Sequence, residues 1–87
     1  LVLPLFNDIK NAQLAVAAEN MRVPLEELKA VVDPDGSASL EELGALLDDT
    51  MYKANSMMTD AEKYDVPTDE RFAIMGQRMM SILRGEG

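Results

Sequence analysis

The chain has 87 residues, of which 47% are hydrophobic and 28% charged, with a formal net charge of −8. A chain of this length can bury one modest core, and this share of apolar residues is enough to fold it. It contains neither cysteine nor histidine, which removes disulfides, thiolate and imidazole metal ligands, thiol nucleophiles and the commonest general base.

The charge disfavours nucleic acid and anionic membrane surfaces, because both need clustered cations to displace or neutralise phosphate. Here Lys10, Arg22, Lys29, Lys53, Lys63, Arg71, Arg78 and Arg84 are scattered singly. No apolar run approaches the roughly 18 residues of a membrane span. The opening Leu1-Val2-Leu3-Pro4-Leu5-Phe6 is too short for a signal peptide and lacks its basic start. The chain starts at Leu1 and not at methionine, which trimming, processing or a preceding stretch would each explain. Phe6, Tyr52, Tyr64 and Phe72 are the only aromatic residues, so leucine, valine, alanine and methionine must fill the core.

Pro4 suits a helix first turn, and a long helix is predicted over 4–22, with Leu5, Ile9, Ala12 and Val16 as its buried stripe and Leu14, Ala18 and Met21 widening it. Ala15, Ala17 and Ala18 leave room for another backbone. Pro24 ends that helix and opens a second over 24–32, carrying Leu25, Leu28, Val31 and Val32 on one side. Asp33-Pro34-Asp35-Gly36 is a turn. Ser39 and Glu42 make a capping box for a third helix over 40–55, with Leu40, Leu43, Leu46, Leu47 and Met51 facing inward. Thr59 and Glu62 repeat that spacing, predicting a short helical turn near 60–65 before Val66-Pro67 interrupts. Thr68 is placed to cap a last helix over 68–84, with Asp69 and Glu70 in its first turn, Arg84 in its last, and a stripe of Phe72, Met75, Met79, Ile82 and Leu83. Gly85 is its stop. The segment Leu25–Asp33 echoes Leu40–Asp48, which reads as a helical hairpin, although two copies are too few for a solenoid. No segment reads as a strand. The fold class is therefore all-α, a small array of about four helices forming one domain over 1–87.

The segment from Asp33 to Gly44 resembles an EF-hand loop. Such a loop places oxygens at alternate positions, a glycine at its sixth and a bidentate Glu at its twelfth. With Asp33 first, Asp35, Ser37 and Glu41 fall on ligand positions. Ala38 stands where the glycine belongs and Gly44 where the bidentate Glu belongs, while Glu42 as the closing ligand leaves the loop two residues short. A tight turn followed by a capped helix accounts for every one of these residues; a degenerate calcium-responsive module using Asp33, Asp35, Ser37, Glu41 or Glu42 is the alternative.

The hairpin also has the lengths of a DNA-reading helix-turn-helix. However, Glu26, Glu27, Asp33, Asp35, Glu41, Glu42, Asp48 and Asp49 face phosphate with only Lys29 between them. The same acidic surface, with Glu26, Glu27, Glu41, Glu42, Asp48 and Asp49 outermost, would suit an inhibitor of a basic site on another protein, with binding that weakens as salt rises. Carboxylate pairs such as Asp48 with Asp49, or Asp69 with Glu70, diverge by about 100° on a helix and do not converge on a substrate. There is no glycine-rich phosphate loop, so no enzyme is predicted and no cofactor.

Six of the seven methionines lie in the second half of the chain. Methionine is flexible and polarisable, and adaptable binding surfaces use it heavily. Met57, Met58 and Met80 fall off the helical stripes and, with Met51, are the predicted contacts with a partner. The reading that follows is a non-catalytic helical interaction or assembly subunit, bound to other protein subunits or to copies of itself, in a multisubunit complex or a virus particle.

Overall fold

The computed structural model describes residues 6–86, with side chains from Asp8 onward. It has five helices and, among these residues, no strand: α1 (Phe6–Met21), α2 (Leu25–Val32), α3 (Leu40–Met57), α4 (Asp60–Tyr64) and α5 (Thr68–Leu83). The predicted start at Pro4 and the place of Leu5 in the first stripe lie outside the described residues.

Local chemistry sets most helix ends. At α3, Ser39 Oγ accepts from the Glu42 amide while the Glu42 carboxylate accepts from the Ser39 amide, and Thr59 with Glu62 repeats both bonds at α4. Each box satisfies two amides that the first helical turn would otherwise leave unpaired. Thr68 does not cap α5: it is the first helical residue, and Pro67 precedes it without a side-chain bond. Proline's fixed φ already sets the chain's entry there. Helices α1 and α5 close by the same device, a six-to-one amide bond over a residue in the left-handed region. In α5 that residue is Gly85 (φ 77°), with the Glu86 amide donating to the Ser81 carbonyl. In α1 it is Arg22 (φ 60°), with the Val23 amide donating to the Ala18 carbonyl. A non-glycine residue pays about 1 kcal/mol or more in this conformation. Arg22 is held by three contacts: to the Glu19 carbonyl, to Asp69 at 3.1 Å, and over the Phe72 ring.

Helix α5 is the hub, packing against each of the other four helices. The core around it comprises Leu14, Ala18 and Met21 of α1, Leu28 and Val32 of α2, Leu43 and Ala54 of α3, and Met79 and Met80 of α5. Leu14 and Leu28 are wholly buried, each contributing about 2–3 kcal/mol by removing its side chain from water. The hairpin expected from the internal echo does not form as a packed pair: α2 lies on α1 and α5, and α3 packs chiefly on α5.

Three helices are rolled relative to the stripes predicted for them. In α1 the buried line runs through Lys10, Leu14, Ala18 and Met21, leaving Ile9 and Val16 exposed. In α3 it runs through Leu43, Thr50 and Ala54, leaving Leu46 and Met51 exposed; Thr50 satisfies its hydroxyl by donating to the Leu46 carbonyl at 2.7 Å. In α5 it runs through Gly76, Met79 and Met80, leaving Phe72 half out. Gly76 is the cause of this last roll. A Cβ there would lie 1.8 Å from the Met21 carbonyl oxygen, so the two backbones touch and centre α5 on its glycine.

The scattered cations tie helices together. Arg78 donates to both carboxylate oxygens of Glu62 and to the Met57 carbonyl, joining α5 to α4 and the end of α3. Arg71 donates to the Lys63 carbonyl, and Arg84 pairs with Glu27 of α2.

A candidate docking groove

Between α1 and α3, with α5 as its base, runs a groove of about 410 Å³. Gln13, Val16, Ala17 and Asn20 line one wall, Gly44, Leu47, Asp48 and Met51 the other, with Phe72, Met75 and Met79 below. The groove exists because α1 and α3 touch each other sparingly while each packs on α5. Its lining is mainly apolar, and three of those side chains are substantially in water: Val16 is 59% exposed, Met51 50% and Phe72 42%. Gln13 carries the one buried side-chain polar atom without a hydrogen-bond partner among the described residues, its Oε1.

The four methionines predicted to form one contact are not brought together. Met51 lines the groove, whereas Met57 lines a shallower hollow along the outer flank of α5 beside Ile74, Arg78 and Ile82. Met58 and Met80 are buried, at 5% and 1% exposure, and are corrected from surface contacts to core residues. Met58 is the residue that ends α3, in extended conformation. Helical periodicity does not govern it, and its side chain turns inward. Met80 is carried inward by the roll of α5 onto Gly76.

The acidic residues also divide by task. Glu42 caps α3, Glu27 pairs with Arg84, and Asp49 pairs with Lys53 at 2.9 Å. Glu26 and Glu41 are exposed, and Asp48 stands on the rim of the groove. Asp48 and Asp49 thus face different neighbours, as their helical spacing requires. Asp69 pairs with Arg22, while Glu70 lines the outer hollow.

The loop from Asp33 to Ser39 is built around an internal cation, the ammonium of Lys10. Its Nζ lies 2.9 Å from Asp33 Oδ2 and donates to the Gly36 carbonyl at 3.2 Å, with both side chains of the pair 5% exposed. The second Asp33 oxygen accepts from the Ala38 amide at 2.9 Å. That amide first, and Lys10 second, hold the Asp33 carboxyl below its ordinary range. Asp35 turns away to accept from the hydroxyl and amide of Ser37, and these bonds lower its pKa. Of the residues considered for calcium, Asp33 serves Lys10, Asp35 serves Ser37 and Glu42 serves the helix cap. No group of three or more acidic side chains among the described residues could hold a metal ion. Sequence gave no hint of Lys10, because a charged residue mid-helix reads as solvent-facing.

The residues that make the groove were visible in the sequence but read as core: Val16, Phe72 and Met75. The signal that separates them is the excess of apolar residues around α1. Ile9, Ala12 and Val16 lie on one side and Leu14, Ala18 and Met21 on another, more than a single packing face can cover. Comparison of the chain with protein-family models, with curated proteins and with solved structures finds no match. Among the described residues no helix is long and apolar enough to cross a membrane.

Proposed function

We propose that the chain is a non-catalytic interaction subunit that receives a helix of another protein in the α1–α3 groove. The observation carrying this reading is the open apolar trough bearing Val16, Met51 and Phe72, side chains that a chain with so small a core gains nothing by leaving in water. A helix laid between α1 and α3 covers them and completes a four-helix arrangement on α5. A larger assembly, whether a multisubunit complex or a virus particle, is the natural setting for such a subunit. The catalytic alternative lacks support, since Asp33, Asp35, Glu42, Glu62, Asp49 and Glu27 are held in caps, ion pairs and turns and Glu26, Glu41 and Asp48 stand exposed without converging. The calcium alternative is weakened in the same way by Lys10.

The test compares affinity capture by the native chain with capture by a Val16→Ser/Met51→Gln variant, after circular dichroism has established equal helicity. A protein retained by the native chain and lost from the variant supports the reading. Identical retention by both, or retention of nothing, overturns it.

A further inference from the structure

Resting on that docking reading, we propose that the occupant of the groove is a basic amphipathic helix of a different protein, with an apolar stripe flanked by Lys or Arg, and not a second copy of this chain. Charge complementarity carries the choice. The α3 rim of the groove holds Asp48, and Glu41 lies two helical turns earlier on the same edge, exposed. The α1 rim offers only the neutral amides Gln13 and Asn20. The cations carried by the groove walls are already committed: Lys10 of α1 to Asp33, Arg22 at the end of α1 to Asp69, and Lys53 of α3 to Asp49. A second copy would bring another −8 of charge against this acidic rim, and like charges across an interface disfavour pairing. A partner with cations beside its apolar stripe gains from both the trough and its edge. The methionines at the trough, Met21, Met51, Met75 and Met79, are flexible enough to fit a stripe of leucine, isoleucine or phenylalanine.

The experiment titrates the full chain with two synthetic 18-residue amphipathic helices, one of leucine and lysine, the other of leucine and glutamate, following methionine methyl resonances by NMR and affinity by calorimetry. The Leu/Lys peptide should bind about tenfold or more tightly than the Leu/Glu peptide, with affinity falling as salt rises. It should shift the methyls of Met51 and Met75 and leave that of Met57 in place. Val16→Ser/Met51→Gln should weaken it about tenfold, the equivalent of losing about 1.4 kcal/mol. Asp48→Asn should weaken it severalfold, and Glu26→Gln on α2 should not. Equal affinity for both peptides, with both sensitive to Val16→Ser/Met51→Gln, overturns the basic partner and leaves helix docking standing. Leu/Lys binding that is indifferent to Val16→Ser/Met51→Gln overturns both. Self-association of the native chain abolished by that variant assigns the groove to a second copy and overturns the proposal.

Discussion

The two seams that α1 makes inside the molecule differ in kind. Against α5 it closes to backbone contact: Gly76 admits the Met21 carbonyl, and Arg22 reaches across to Asp69 and the Phe72 ring. Against α3 it stays apart, with Gly44 facing only the end of the Gln13 side chain and a trough between the walls. Both seams have a glycine, yet one glycine is required by its surroundings and the other is not. The neighbour's ability to move, and not the presence of glycine, distinguishes a sealed interface from an open one.

Substitution at the closed seam should give the largest effect. Gly76→Ala places a methyl group on an immovable carbonyl, and after a gain in helix propensity should still destabilise the fold by about 2–4 kcal/mol, read as a fall in thermal midpoint on the order of 10–20 °C. A midpoint within a few degrees of the native one would mean that α5 does not pack on the α1 terminus. Lys10→Met comes next. It leaves Asp33 buried without its cation, so stability should fall, and Lys10→Met/Asp33→Asn should recover part of the loss because Asn keeps the acceptor for the Ala38 amide. A double variant no better than the single would show that the pair is not coupled.

Acid should act on the same loop. Asp33 and Asp35 have pKa values below their ordinary 3.8, and Glu62 below its ordinary 4.5. A depressed folded pKa contributes stability that is present above the unfolded value and lost as pH falls through the folded one. Denaturant midpoints should therefore drop below about pH 4, and the drop should be shallower in Asp33→Asn than in the native chain. At the open seam the sign reverses. Gly44→Ala puts a methyl group 3.3 Å from Gln13 Nε2, which can move aside, and should stabilise α3 by up to about 1 kcal/mol. A loss there would mean that Gln13 is held as firmly as Met21.

The contrast between the seams also marks what could be read in advance. Helix positions, both capping boxes and the stop at Gly85 rest on residues close in sequence, so the sequence predicted them well. The inward faces of α1, α3 and α5 rest on contacts between distant residues. Nothing near Lys10 announces Asp33, and nothing near Gly76 announces the Met21 carbonyl. Because α5 centres on a residue with no side chain, a reading that follows large apolar residues places Phe72 inside and Met80 outside, the reverse of their positions. The groove escaped for a related reason: its residues are apolar and correctly spaced, and only three-dimensional packing reveals that the described residues leave Val16 and Met51 half or more exposed. Of the groove's lining, the sequence singles out Met51 as an apolar contact and Asp48 as part of an acidic surface.

Placing the hub in the last helix has a consequence for how the molecule forms. Helices α1 and α2 meet α5 across separations of 47 residues for Arg22 with Asp69 and 57 for Arg84 with Glu27. The loop-closure entropy of bringing such distant segments together precedes the reward of the contacts. Folding is thus expected to be slower than in a helical bundle whose neighbours are adjacent in sequence. A fragment ending at Pro67 retains both capping boxes and loses the surface on which the other four helices converge. Such a fragment would keep only the α1–α2 packing and the sparing contact of α1 with α3, and assembly of the full chain would become a single late event.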